Sequence, residues 1–357
     1  ELRPELRELL RVRAELLDKA IATQDTYVRA LTELEFSQGQ LIDTASRYDD
    51  FLAERLLWVR STAPIDVGMF QALPDQVAAL LSPAHWFDVW AALAQVTLAN
   101  PLWLLPLALA GILVWRHKRI LRALVATGAQ LGKPTTDSIL YTVQALALTL
   151  LAALPWPILA FTLGHQLRHA PEASDFTRAV SQGLIWVPAQ IFFLESFRTL
   201  CHPRGLGALH FRWPAAVTET IRRELRTLLI LAVPLTFVTA TLSAINANHG
   251  RNVIERTAYV IGMCVLALVI YRLLRPSGVP RDYLSSHREG WVDRLKYVWP
   301  IAAACIPLAL AALAATGFYY TAKVLFWHVF STAMFVMGLL MVRSLLLRML
   351  MLRRRSL

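Results

Sequence analysis

Residues 298–318 read VWPIAAACIPLALAALAATGF, a run without a single charge. An α-helix rises 1.5 Å per residue, so a run of this length spans about 30 Å, the thickness of a bilayer's hydrocarbon core. Working outward, six further segments meet the same requirement within a few residues. They lie near 90–115, 139–163, 179–197, 227–245, 258–274 and 324–347, with 258–274 the shortest. The whole chain of 357 residues is 56% hydrophobic and only 17% charged, with a mean hydropathy of +0.46. That composition excludes a soluble globular domain and places the chain in the membrane class. The expected fold is all-α: a polytopic helical membrane protein of about seven transmembrane helices, preceded by a helical arm.

Orientation follows from lysine and arginine, because cytoplasmic connections carry the excess. Connections taken alternately, 116–138, 198–226, 272–297 and 343–357, hold twenty-two Lys and Arg, and the opposite set, 164–178, 246–257 and 319–326, holds five. This places the N-terminal arm in the periplasm and the C-terminus, with Arg353, Arg354 and Arg355, in the cytoplasm. The net charge of +11 has the same origin: the arginines end apolar segments and form no nucleic-acid-reading motif, so no nucleic-acid partner is expected.

Three parts are expected. Residues 1–73 form the periplasmic arm, which holds twelve of the twenty-five acids by residue 60. Leu2, Leu6, Leu9, Leu16, Leu17, Val28, Leu31 and Leu34 recur among its charges at three- and four-residue spacings, an amphipathic helix pattern with a break expected at Gly39. So long and charged an arm is expected to pack on something outside this chain. Residues 74–89, PDQVAALLSPAHWFDV, form an interfacial segment around Pro83. Residues 90–357 form the transmembrane domain. No signal peptide precedes Glu1 and the chain opens inside a helical pattern, so further residues are expected before it.

Little points to chemistry. Cys201, Cys264 and Cys305 are isolated, in no disulfide or zinc spacing. His165 and His169 have an i, i+4 spacing, followed by Glu172 and Asp175, but in a loop with no further ligand pattern, and they read as solvated loop residues. His202 and His210 flank CHPRGLGALHFRWP, whose GLG follows no strand and reads as a flexible turn. His328 reads as interfacial. The ionisable residues within spans, Glu195, Arg272 and Arg343, lie near inner ends, where side chains can snorkel. Gln144 is a polar candidate at mid-depth, and Pro155, Pro157, Pro188, Pro234 and Pro307 mark kinks. Trp86, Trp90, Trp213, Trp291, Trp299 and Phe318–Tyr320 fit membrane anchors. No GxxxG seam is present. No catalytic residue, cofactor or metal is expected, and the spans offer no continuous polar lining for conduction.

The stretch FLAERLLWVRSTAPI at 51–65 closes the arm and allows two readings. One is an ordinary helix end, with Leu56, Leu57 and Trp58 as core, Arg60 a favourable cation in the last turn and Pro64 a stop. The other is a docking collar, in which Trp58 and Arg60 fasten the arm to the membrane domain. ERLLWVRS at 54–61, after Asp49 and Asp50 and before the first span, resembles the start of the inner-membrane domain of large MscS-superfamily mechanosensitive channels of the MscK (KefA) and MscM type. The arm, the spans and the arginine-rich inner ends extend that resemblance over nearly the whole chain.

The resemblance implies an auxiliary, tension-sensing domain of a channel that releases ions and solutes on hypoosmotic shock. It also implies a bacterial inner-membrane location, the lipid bilayer as partner, and identical subunits assembled as a heptamer. The family's three-helix pore module is not recognisable within these residues. That module enters from the periplasmic side, so one more crossing is expected between Leu357 and the pore. The competing reading is a seven-helix transporter or envelope scaffold without a channel.

Overall fold

A computed structural model describes residues 2–56, 59–65, 68, 71, 73–128, 139–171, 173–211, 213–245, 253–279 and 294–356. The chain divides into two units, Glu1–Val59 and Arg60–Leu357.

The first unit is a single helix, α1 (Leu2–Leu56). At 1.5 Å per residue its 55 residues extend about 80 Å. Lys19–Glu15 at 2.8 Å and the Arg47–Asp43 pair are ion pairs one turn apart, each worth a few tenths of a kcal/mol at such exposure. The break expected at Gly39 does not occur. A lone helical glycine costs only about 1 kcal/mol relative to alanine, and nothing opposes the helix there. The apolar residues Leu16, Leu17, Val28, Leu31 and Leu34 are all exposed.

The second unit contains α2 (Leu73–Leu81), α3 (Pro83–Ala99), a 3-10 turn (Pro101–Trp103), α4 (Leu104–Gly128), α5 (Ile139–Ala153), α6 (Pro155–Arg168) and α7 (Asp175–Leu200). It continues with the short α8 (Leu206–Leu209), then α9 (Ala215–Ile245), α10 (Val253–Leu274), α11 (Val298–Ala315) and α12 (Tyr319–Ser356). No strand occurs among the described residues. The seven apolar segments all fall on helices, and the chain is a polytopic helical membrane protein.

Four helices, α9, α10, α11 and the Tyr319–Met351 part of α12, are long and apolar enough to cross a membrane by themselves. Two more crossings arise if each bent pair counts as one, giving up to six. One pair is α5 with α6, bent 45° at Pro155; the other is α3 with the segment Pro101–Gly128, bent 109°. The second bend divides the continuous span expected over 90–115. Its cause is local: Asn100 accepts a hydrogen bond from the Leu102 amide at 3.2 Å, and Pro101 cannot continue the preceding helix. The seventh expected segment, 179–197, lies within α7, which is long enough to cross but carries Asp175, Arg178, Glu195 and Arg198.

α7 tolerates this polarity because it is the buried centre of the unit, packed against α5, α6 and α9. Glycines set two of these approaches. A Cβ on Gly164 would come within 2.9 Å of Leu184, and one on Gly183 within 2.2 Å of the Thr241 hydroxyl. Ser181 donates to the Gly164 carbonyl at 3.0 Å across the first. α12 is the opposite case: within its apolar window no residue is buried.

Candidate functional site: a strap across three helix ends

Residues 60–65, RSTAPI, form an extended strap at the start of the second unit, bonded to the turn between α11 and α12. The Thr62 amide donates to the Gly317 carbonyl at 3.1 Å and the Ile65 amide to the Ala315 carbonyl at 2.9 Å. The Ser61 and Thr62 hydroxyls reach the Gly317 carbonyl at 3.3 Å each, and Ser61 Oγ accepts from the Tyr320 amide at 3.2 Å. The Arg60 guanidinium stands over the Phe318 ring, 5.8 Å from its centroid.

The turn is built to receive the strap. Helix α11 ends in a Schellman motif: the Phe318 amide bonds the Leu313 carbonyl at 2.9 Å and the Gly317 amide bonds the Ala314 carbonyl at 3.4 Å. This requires a left-handed residue, and Gly317 has φ of +105°. Glycine is required twice over, because a Cβ there would lie 2.4 Å from the Thr62 carbonyl oxygen.

Arg256 locks the assembly. It is 3% exposed and sits in the first turn of α10, where a cation opposes the helix dipole, so another interaction must hold it. Its Nη1 donates to the strap carbonyl of Ala63 at 2.6 Å, and its Nη2 to Ala314 at 3.0 Å and Ala315 at 3.4 Å. The last two are carbonyls at the end of α11, which have no partner within their own helix. One guanidinium thus joins α10, the end of α11 and the strap. Beside it, Glu255 accepts from the Tyr319 hydroxyl at 2.9 Å and lies 3.8 Å from Lys323, which donates to Ser243 of α9 at 3.0 Å. The Tyr259 hydroxyl donates to the Ala322 carbonyl at 2.8 Å. An apolar cluster of Tyr259, Met263, Leu310, Ala311, Ala314, Tyr319 and Ala322 lies beneath. The site couples an extended segment to the adjoining ends of α9, α10, α11 and α12.

Of the two residues singled out for the junction, Arg60 belongs to this strap, and Trp58 lies outside the described residues. Arg256, Glu255, Gly317 and Ser61 were not anticipated, and Tyr319, expected as a membrane anchor, is buried against Glu255. Two signals for them exist in the sequence: an adjacent Glu–Arg pair opening a span, and a glycine just past an alanine-rich helix.

Elsewhere several expectations change. Glu195 does not snorkel: it is 6% exposed and paired to Arg198, whose Nε donates to it at 2.7 Å. The GLG turn is packed, not flexible. Leu206 is fully buried with Leu124, Ala145, Leu200 and Cys201, and a Cβ on Gly207 would meet the Leu200 carbonyl at 3.0 Å. Burial pushes the Cys201 thiol up to about 12. His210 is buried between Thr127 at 3.3 Å and Thr142 at 3.2 Å, and its carbonyl accepts from buried Arg348 of α12 at 2.8 Å. The rings of His165 and His169 lie 4.4 Å apart at an angle of 57°, beside Trp103. No group of three metal-ligating side chains occurs among the described residues, and Glu172 and Trp291 lie outside them. Gln144 is exposed on α5. Trp86 turns inward, edge-on to Phe176 at 5.6 Å, while Trp90 and Trp299 are exposed as anchors are.

With this arrangement established, residues 100–357 match the family model described as mechanosensitive ion channel inner membrane domain 1. The chain belongs to this family. It is 26% identical to the miniconductance mechanosensitive channel MscM of Escherichia coli over 98% of its own length and 31% of that protein's. It is 24% identical to the mechanosensitive channel MscK of the same organism, over 90% of this chain and 28% of that one. A MscS family protein of Haemophilus influenzae is 22% identical over 91% of this chain and 29% of its own length. The chain thus spans less than a third of the curated relatives it matches. No solved structure matches it.

Proposed function

We propose that this chain is the auxiliary, tension-sensing transmembrane domain of a mechanosensitive channel of the bacterial inner membrane, opening on hypoosmotic shock to release ions and solutes. Residues 1–73 are its periplasmic arm, 74–89 an interfacial segment and 90–357 the membrane domain, with the C-terminus cytoplasmic. It acts in an assembly of identical subunits, a heptamer by the family resemblance.

The observation that carries the mechanism is the strap. Tension favours whichever state occupies more membrane area, and a domain responds only through elements that differ between the two states. α12 has no buried residue within its apolar window, and Arg348 beyond it bonds the His210 carbonyl. Its first turn, however, is bonded through Ser61, Tyr319 and Tyr320 to the strap and to Glu255. A shift of α12 within the membrane therefore pulls on the strap. Because residues 60–65 continue the chain directly from the arm, Trp58 and Arg60 act as the collar through which the arm and the membrane helices bias one another.

The test is survival of hypoosmotic downshock in bacterial cells lacking their own mechanosensitive channels. Expression of the full-length protein raises survival, and Arg256→Ala, with membrane levels matched, changes the shock strength at which protection appears. Protection that is absent for the intact protein contradicts the channel reading. Protection unaltered by Arg256→Ala contradicts the strap's role in it.

A further inference from the structure

The middle of α4 and the ends of α7 and α9 away from the strap line two adjoining cavities. The smaller, of about 100 Å³, is lined by His117, Leu121, Arg198, Thr199, His202 and Arg222. The larger, of about 210 Å³, is lined by Arg198, Glu219, Arg222, Arg223 and Arg226. Arg198 and Arg222 line both, so the two form one groove with guanidinium groups along its length.

This is more than the scattered charge that marks a cytoplasmic face. The arginines come from two helices and converge on a concavity, and those shared by both cavities are the less exposed ones, with side chains 30% and 34% accessible. Arg198 is held in place by Glu195. Arg222 approaches Glu219 only at 3.9 Å, and Arg223 and Arg272 stand 3.5 Å and 3.9 Å from buried Glu224. The four arginines lining the groove thus have three carboxylates near them, one of which is shared with Arg272. His202 is kept below its usual pKa by burial and then by Arg222, Arg198 and Arg204. Its Nδ1 accepts the Arg204 amide at 3.3 Å, which puts the proton on Nε2 as a further donor.

Depth selects the ligand. Arg198 follows the apolar run 179–197, Arg226 precedes the run 227–245, and His117 follows the run ending at 115. All three mark where helices leave the hydrocarbon, the level at which lipid phosphates lie. A planar guanidinium matches a phosphate in bidentate fashion, and basic pockets between membrane helices on the cytoplasmic side suit anionic headgroups.

We infer that the groove formed by Arg198, His202, Arg222, Arg223 and Arg226 is a binding site for the phosphate of an anionic phospholipid headgroup. The inference rests on the membrane placement given under the proposed function. It gives the domain a second hold on the bilayer at the α7–α9 end, away from the strap.

The experiment is native mass spectrometry of the purified protein in detergent, titrated with phosphatidylglycerol, with phosphatidylcholine and, as competitor, with inorganic phosphate. The expected result is retained phosphatidylglycerol in preference to phosphatidylcholine, undisplaced by inorganic phosphate. Arg222→Ala with Arg226→Ala lowers the apparent affinity by roughly 25-fold, about fivefold for each cation removed near a lipid surface. Arg116→Ala with Arg119→Ala, exposed cations at the same level but outside the groove, changes it less than twofold. Size exclusion confirms that each variant is folded. Equal losses in both pairs reduce the binding to general interfacial charge and overturn the inference. Displacement by inorganic phosphate overturns the lipid as its source, and equal retention of the two lipids overturns the phosphate selectivity. Flotation of the protein with liposomes reads membrane insertion separately, so that failure of the membrane placement is distinguished from failure of the groove.

Discussion

Replacing Gly317 by alanine attacks the strap at its receiving point. The residue has φ of +105°, and the added Cβ would stand 2.4 Å from the Thr62 carbonyl oxygen, so the new methyl cannot be accommodated while the strap stays in place. Holding an L-residue in a left-handed conformation costs roughly 1–2 kcal/mol. Displacing Thr62 removes its amide bond to Gly317 and weakens the hydroxyl contacts of Ser61 and Thr62, at about 1 kcal/mol net for each bond lost. A total near 3 kcal/mol multiplies the population of the detached strap by about a hundredfold. Trypsin reads this directly at the bond between Arg60 and Ser61. Cleavage of a transiently opened segment follows the open population when opening and closing are fast, and cleavage after exposed Arg55 in α1 is an internal reference. The control is Gly338→Ala in α12, where nothing lies within 4 Å of the added Cβ and alanine favours the helix by about 1 kcal/mol. If Gly317→Ala cleaves at Arg60 within threefold of the parent, the strap is not held as described.

Limited proteolysis with proteinase K, which needs no arginine at the cleaved bond, tests the collar: Arg60→Ala, which removes an exposed cation–π contact worth about 0.5–1 kcal/mol, accelerates release of the arm a few-fold. Trp58→Ala accelerates it as well if that residue belongs to the collar; if neither variant changes release, residues 51–60 are a plain helix end. Cys201, its thiol pushed up to about 12 by burial, stays unmodified by a permeant maleimide at neutral pH in the folded protein and reacts once the protein is denatured in SDS; early labelling of Cys201 in the folded protein refutes its packing. In a variant without native cysteines, an impermeant reagent applied to intact cells labels Asp175→Cys and not Arg204→Cys. Both positions are exposed, whereas a cysteine at Gly205 would press on the Thr199 carbonyl. The reverse pattern inverts the topology.

The fold was legible to the extent that apolar length determines it. Seven mostly apolar stretches fell on helices because a helix satisfies its backbone groups within its own segment. The uniform α1 was legible from its leucine spacing, though Gly39 was over-read: a single glycine weakens a long helix without ending it. Hydropathy counting passed over the 109° bend at Asn100–Pro101, since an Asn–Pro step costs little apolarity yet dictates a turn. It also could not show that α7 is central, because burial of Glu195 depends on Arg198 one turn away and on neighbours far along the chain. At the candidate site, Arg60 was marked by its position between arm and span, while Arg256 was tallied only as one of the few outside charges. Its role depends on carbonyls of Ala63, Ala314 and Ala315, which no local pattern brings together. The buried His210 and Arg348 were hidden for the same reason, being paired across 138 positions of sequence.

The central claim is that these helices sense tension and that the strap carries the response. Patch recording of the full-length protein in giant liposomes under stepped suction tests it most directly. The account predicts a stretch-activated current in the intact protein and a shifted threshold in Gly317→Ala, with Gly338→Ala unchanged. An intact protein that passes no current under tension, or a current whose threshold is the same in all three, would contradict it.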